Sequence, residues 1–427
     1  MSKLTLFHTF KKFRSQNRSI KIASNLFAVI LCIVLLAPFI ANDKPLVCKY
    51  NGHWMFPVFS SNYQIIFSNQ KNINYQMGKE WKLVPMDFAI FPPCAYSPNT
   101  IDADNAPRVS PFDHQKITYS NGQTISLPLK YRHWFGTTEN GTDVLSGIIH
   151  GTKISFSVGI FSMLIAGLLG IGLGASAGYF GNTTIRIGLI QSILLFFSVG
   201  IAWFYGFVVR ASTLYEAFES GGLQLIGHLL LSIIIIFTIL YFFSWIGKQI
   251  DSALNFNKTF YLPIDTIISK MIEILNSIPS LLLIISISSI AKPSYSLLVC
   301  IIGFFSWTDI ARLTRAEFFK AKQLDYITSC KATGMNHPRI MFKHILPNVF
   351  PLIIVQLLFG MAGAILVESS LSFIGVGVPL DVVTWGSLLN EGRDYFSSWW
   401  LVLFPGLSIF TLVFIYNKIG SEISKIS

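Results

Sequence analysis

Eight long apolar runs, at approximately 22–41, 155–179, 187–209, 225–246, 272–291, 296–310, 350–375 and 400–416, leave this chain few ways to fold. A helix needs about 20 mainly apolar residues to cross roughly 30 Å of hydrocarbon at 1.5 Å per residue. The sixth run is the shortest. Only 12% of the 427 residues are charged and 52% are hydrophobic, against about 25% charged in an average soluble chain. The pattern predicts an all-α polytopic membrane protein with about eight spans.

Basic residues set the expected orientation, because Lys-rich and Arg-rich loops stay in the cytoplasm. Before the first run stand Lys3, Lys11, Lys12, Arg14, Arg18 and Lys21 with no acid. Between Arg312 and Lys343 seven Lys and Arg face only Glu317 and Asp325. These two segments carry the whole formal net charge of +11. Both are expected in the cytoplasm, with six spans between them, and the C-terminus joins them there. The basic balance is thereby accounted for without nucleic acid, and a basic loop also suits anionic lipid. The first run is long and closes on no convincing small-x-small site, so it reads as a retained anchor.

From 42 to 150 the chain turns polar and rich in Pro, Asn, Ser and Asp, with short alternating stretches such as KLVPMDFAIF. This predicts a small, irregular, strand-containing insert outside the cytoplasm that leans on the membrane domain. Cys48 and Cys94 fall within it, on the oxidising side where a periplasm exists, and are candidates for a disulfide. Cys32, Cys300 and Cys330 read as reduced, partly buried residues.

Chemical motifs are scarce. GASAG at 174–178 fits G-x-S-x-G but lies inside a span, where the strand-turn-helix context of a nucleophile is missing. Gly170, Gly174 and Gly178 instead put a small surface on one helix face. No His or Cys spacing marks a metal site, and there is no G-x-x-x-x-G-K-[ST] loop to hold nucleotide phosphates. No catalytic residue is identified, and any ATP used in this protein's work must be hydrolysed by another chain. Glu368 is a carboxylate within a span, a candidate for a substrate path or for helix packing. Glu273 reads as a solvated boundary residue beside Lys270. Pro279 and Pro405 fall within spans and predict kinks.

The stretch between the sixth and seventh runs is built differently. DYITSCKAT at 325–333 makes two helical turns, which Gly334 ends with a left-handed residue. Asn336 and His337 then restart a helix, with Pro338 near its first position, where a missing N–H costs little. The segment runs through His344 and Leu346 to Pro347, expected as the break before the next span. Two short helices around a tight turn, rigidly joined to both adjoining spans, predict a docking element for a cytoplasmic partner.

These residues resemble permease subunits of ATP-binding-cassette (ABC) importers of the peptide and nickel group. Gly334 and the run His344-Ile-Leu346-Pro347 match that family's cytoplasmic loop, while Thr328, Ser329 and Cys330 stand where it has Glu-Ala-Ala. WFGTTENGTDVLS at 134–146 and GTKIS at 151–155 are similar to its segment ahead of the core, with Thr138 where Asp is usual. NSIPSLLL around Pro279, E-x-x-LSFIG from Glu368, Trp385-Gly386 and FPG at 404–406 also match. ANDKPL at 41–46 and the Tyr50-x-Gly-x-Trp54-x-Phe-Pro57 pattern are similar to the oligopeptide and microcin C branch.

The resemblance implies a type I ABC importer transmembrane domain. Its parts would be the N-terminus and first span at 1–41, the insert at 42–150 and a core at 151–420. Within that core, 181–261 is an added helical hairpin and 312–348 the coupling loop, with Asp325, Thr328, Ser329, Cys330, Ala332, Gly334, Pro338, His344, Leu346 and Pro347 as its key residues. It further implies a bacterial inner membrane, a homologous second permease, two cytoplasmic ATPase subunits that use ATP and Mg, and a periplasmic solute-binding protein. Small peptides are the expected cargo, with a non-peptide solute such as nickel the alternative. A membrane-embedded enzyme using the insert is the reading from another class, and no nucleophile and base arrangement supports it.

Overall fold

The computed structural model describes residues 18–50, 52–59, 81–83, 86–118, 123–220, 222–254, 258–290, 293–379, 381–395 and 397–425. Lys3, Lys11, Lys12 and Arg14 lie outside them. The helices are α1 (Arg18–Ile40), α2 (Val144–Phe180), α3 (Leu189–Trp203), α4 (Ala211–Ser220), α5 (Gly222–Ala253), α6 (Ile264–Asn276), α7 (Ser280–Ile290), α8 (Tyr295–Ala321), α9 (Asp325–Ala332), α10 (His337–Ile374), α11 (Trp385–Arg393) and α12 (Trp400–Ser424). The strands are β1 (Val47–Tyr50), β2 (His53–Met55), β3 (Phe88–Ile90), β4 (Lys116–Thr118), β5 (Thr124–Ser126), β6 (Arg186–Gly188) and β7 (Thr259–Tyr261).

Among the described residues seven helices are long and apolar enough to cross a membrane: α1, α2, α3 with its continuation to Val208, α5, α8, α10 and α12. The eighth expected span is a broken pair. α6 and α7 meet at 69°, with Pro279 immediately before α7. Proline lacks the N–H that would continue the ladder, so the chain bends where the sequence places it. Pro405, by contrast, is accommodated inside continuous α12.

The chain forms two compact units. One comprises residues 12–159 and 362–419. Its polar insert carries the antiparallel sheet β2-β1-β3 and the hairpin β4-β5. Cys48 pairs with both Met55 and Ala89, and Cys48 and Met55 are buried with Trp81 on one face of the sheet. The sheet is moored to the end of α1 by main-chain bonds, Cys94 N–H to Ile40 O at 3.0 Å and Asn42 N–H to Cys94 O at 3.1 Å. The insert also bonds to α12 and to the segment that follows α10: Trp400 Nε1 donates to Thr137 O at 3.0 Å and Asn99 Nδ2 to Asp381 O at 2.8 Å.

α2 begins at Val144, within the expected insert of 42–150, and Asp143 caps it by accepting from Ser146 N–H at 2.6 Å. One expectation about the insert is corrected. Cys48 and Cys94 are both free thiols. They belong to different clusters, Cys48 with Met55 and Trp81, Cys94 with Ala37, Ala41, Tyr96 and Ile149, and the Cys94 thiol donates to Asp143 Oδ1 at 3.3 Å. Burial, reinforced by that carboxylate, pushes the Cys94 thiol up, away from the thiolate that disulfide chemistry needs.

Beside Cys94, buried His133 bridges two carboxylates, Nδ1 to Asp143 at 2.8 Å and Nε2 to Asp102 at 3.0 Å. Its ring stacks on Tyr96 with centroids 4.0 Å apart. Neutral imidazole has one N–H and could serve only one carboxylate, so the arrangement calls for the imidazolium. Burial acts against that charge, but the two hydrogen-bonded carboxylates outweigh it and raise the His133 pKa.

The other unit contains residues 160–361 and the chain from 420. Its hairpin of α3 and α5 is closed at the base by the antiparallel pair β6-β7, in register Arg186↔Tyr261. Asp251 from the end of α5 caps α3, accepting from Ile190 N–H at 3.0 Å and Gln191 N–H at 2.9 Å. The glycine face of α2 lies directly against α8. A methyl group at Gly170 would meet Ile310 Cβ at 2.7 Å, and at Gly174 and Gly178 it would collide with the carbonyls of Ala311 and Arg315. Small residues every fourth position let the two backbones approach this closely.

Candidate functional site

Within the stretch 312–348, expected as a coupling loop, the structure shows both helix and connector. α8 runs on through Arg312 and Arg315 to Ala321, and the next membrane-length helix begins at His337, so the connector between the two is 322–336. Basic residues on α8 had made helix look like loop. α9 occupies the middle of the connector, with Asp325 in its first turn and Lys331 in its last, signs that complement the helix dipole. Ile327 is fully buried and anchors α9, whereas Asp325, Thr328, Ser329 and Ala332 face outward and Cys330 is half-buried.

Gly334 ends α9 as the sequence predicts, with φ +73° and open space around it. The Met335 N–H reaches Cys330 O at 3.2 Å and the Gly334 N–H reaches Lys331 O at 3.0 Å. This pair of bonds is the Schellman arrangement, which satisfies carbonyls a helix end leaves bare. Asn336 precedes the restart with Pro338 in the first turn, as expected.

Pro347 does not break the chain. α10 passes through it without interruption, because the preceding residues Ile340–Ile345 form a π-helical turn. In that turn the Leu346 N–H bonds to Met341 O, five residues back. The wider turn takes up the register that Pro347, with no N–H and a bulky ring, would disrupt. His344 and Leu346 lie in or just after this turn, half-buried, and Pro347 is exposed.

Thr328, Ser329 and Cys330 keep the helix although they are not Glu-Ala-Ala. Ser329 Oγ bonds back to Asp325 O at 3.0 Å. Such back-bonding occupies the hydroxyl on its own helix and leaves the outward surface of α9 uncharged at 328–330.

Residues not singled out from the sequence hold the element to its neighbours. Tyr179, in the last turn of α2, places its hydroxyl 2.9 Å from His337 Nδ1. Lys322 Nζ donates to Tyr179 O at 3.2 Å, and Lys331 Nζ stands 5.6 Å from the Tyr179 ring centre. Burial and the nearby Lys331 charge lower the Lys322 pKa. Arg315 of α8 makes a two-pronged ion pair with Asp265 of α6, and Thr308 Oγ1 donates to Asn276 Oδ1 at 3.2 Å nearer the other end of α6. Tyr179 looks like an ordinary span-end aromatic in sequence, so nothing there marks it out.

Glu368 is fully buried in the other unit. Its carboxylate accepts from Ser372 at 3.0 Å, Ser155 at 3.1 Å and Ser369 at 3.3 Å. It lines neither of the two cavities described in that unit. Among the described residues no group of His, Cys, Asp or Glu is gathered as a metal site.

α8 and α10 are thus two membrane-length helices joined by a short, capped surface helix. Residues 253–420 match the family described as binding-protein-dependent transport system inner membrane component. Over this stretch the chain is similar to permease subunits of ABC importers, and its seven long apolar helices make it a multi-pass membrane protein. It is similar over almost its whole length to the inner membrane ABC transporter permease protein YejE of Escherichia coli, 25% identical over 93% of this chain and 89% of that one. It is also similar to the peptidoglycan transport system permease protein YejE of Agrobacterium fabrum, at 24% over 88% and 81%, and to the dipeptide transport system permease protein DppC of Haemophilus influenzae, at 29% over 74% and 81%.

Proposed function

We propose that this permease, with a homologous partner, encloses a path for small peptides handed over by a solute-binding protein, and that two cytoplasmic ATPase subunits drive it. The relatives' peptide and dipeptide names support the cargo class. The connector at 322–336 carries the mechanism, because it offers an exposed, rigidly capped helix joined without slack to α8 and α10. The basic residues at 312–343 support a cytoplasmic side for this connector, and both termini are read on that side with it. α9 would sit in a groove of one ATPase subunit, and closure on ATP would swing the attached spans between inward-facing and outward-facing states.

The reading is tested by purifying the chain from its native membrane with a tag. An ATP-binding-cassette subunit that co-purifies, together with loss of labelled-peptide uptake in a deletion strain, is the expected result. A chain that purifies alone, with peptide uptake unchanged in its absence, overturns it.

A further inference from the structure

The spans already commit this chain to the bilayer, but the insert carries an aromatic surface they do not explain. Lys49 of β1 pairs with Trp54 of β2 on one side and Phe88 of β3 on the other, so the three form a row across one face of the sheet. The opposite face is closed by Cys48, Met55 and Trp81. On the outward face Trp54 is 60% exposed and Phe88 46%, their rings edge-on at 5.9 Å. Lys49 Nζ lies 5.9 Å from the Trp54 ring centre. Just beyond β2, Phe56 and Phe59 are exposed as well.

We propose that this face is a second membrane-contact surface, seated among the headgroups and upper acyl chains of the leaflet on the insert's side of the bilayer. Position is the first argument. Phe39 stands about 27 Å along α1 from Lys21 at 1.5 Å per residue, close to the roughly 30 Å hydrocarbon thickness. Phe59 packs on Phe39 with ring centroids 5.4 Å apart, which brings the β2 end of the patch to the hydrocarbon boundary. The β3 end is held there too, because Cys94, a few residues past Ile90, is bonded to Ile40 and Asn42 at the end of α1. Chemistry is the second argument. Tryptophan and phenylalanine flanking a lysine suit the interface, where rings sit at headgroup level and the lysine stem reaches toward phosphates. A protein partner could also cover aromatic rings, but this patch continues the lipid-facing surface of α1 through Phe39 and Phe59.

The proposal rests on α1 being a span and is independent of the cargo. It is tested on the assembled transporter in lipid nanodiscs, with the emission of Trp54 obtained as the difference between wild type and Trp54→Phe. Quenching several-fold stronger by a shallow doxyl-labelled phospholipid than by aqueous iodide is expected. Phe88→Trp placed in the Trp54→Phe background reports the same face from the neighbouring strand. Efficient iodide quenching in nanodiscs overturns the proposal. So does shielding from both the doxyl lipid and iodide, which would mean a protein segment covers the face, and so does shielding that arises only when the solute-binding protein is added.

Discussion

Tyr179 and His337 are joined across 2.9 Å, phenol oxygen to ring Nδ1, so the last turn of α2 is fastened to the first turn of α10 directly beside the docking helix. Tyr179→Phe keeps the ring, its stacking and its burial, and removes only this bond, which is worth about 1 kcal/mol. ATP hydrolysis by the assembled transporter is expected to persist while peptides imported per ATP fall severalfold. Parallel measurement of ATPase rate and uptake in proteoliposomes checks this, and an unchanged ratio would deny Tyr179 a part in transmission.

Gly334 holds φ +73°, a conformation costing a residue with a side chain roughly 1–2 kcal/mol. Gly334→Ala should therefore reduce coupling modestly, since open space surrounds the position. Gly334→Pro fixes φ near −65° and removes the N–H that meets Lys331 O, so the capping arrangement cannot form. Membrane insertion is expected to survive and coupled uptake to be lost. Normal uptake with Gly334→Pro would remove the connector from the mechanism.

The bridge at His133 predicts a pH response. Its pKa is raised in the folded protein, so its contribution to stability is complete below about 6.5 and is lost as pH climbs through the raised value. Asp102, whose pKa is lowered, works at the other end, contributing fully above about 3.9 and failing as pH falls through the depressed value. Lys82, lowered to about 8 by burial, opposes the alkaline loss, because shedding its proton favours the folded state. The melting temperature of the purified protein should thus hold through mildly acidic pH and decline above neutrality. His133→Gln should flatten that decline, and a slope that survives the substitution would assign it elsewhere.

Glu368 gathers the hydroxyls of three serines in a site with no exposure. Glu368→Leu leaves those donors without their acceptor, at about 1–3 kcal/mol for each that finds no substitute. Glu368→Gln retains an acceptor oxygen and should cost much less. Thermal unfolding in detergent separates the two variants. If Glu368→Gln abolished uptake without changing stability, the carboxylate would belong to the transport path instead.

Neither Cys48 nor Cys94 should be oxidised in protein taken directly from the membrane. Alkylation under native conditions is expected to spare both, with complete labelling after denaturation and no reduction step. A peptide map containing the Cys48–Cys94 crosslink would contradict the two separate clusters.

Much of the fold was legible because lipid imposes one dominant rule, a long apolar helix per crossing. The turn at Gly334 was equally plain, since a left-handed residue favours glycine and proline marks the restart. What sequence hid was continuity. Arg312 and Arg315 read as loop because charge usually means water, yet Arg315 is held by Asp265 and the helix runs on. Pro347 read as a break because its cost is local, whereas the π-turn that absorbs it is a property of the preceding residues. Tyr179 drew no notice because its value lies in a partner 158 positions away.

The glycine contact between α2 and α8 has a mechanical consequence. With no side chains between their backbones at Gly170, Gly174 and Gly178, the paired helices lie in contact like the layers of a laminated beam. If a partner docks at 322–336, as proposed, its thrust would displace both rods together rather than slide one along the other. Even one methyl at Gly174 would act as a shim, and the same thrust would then become slip.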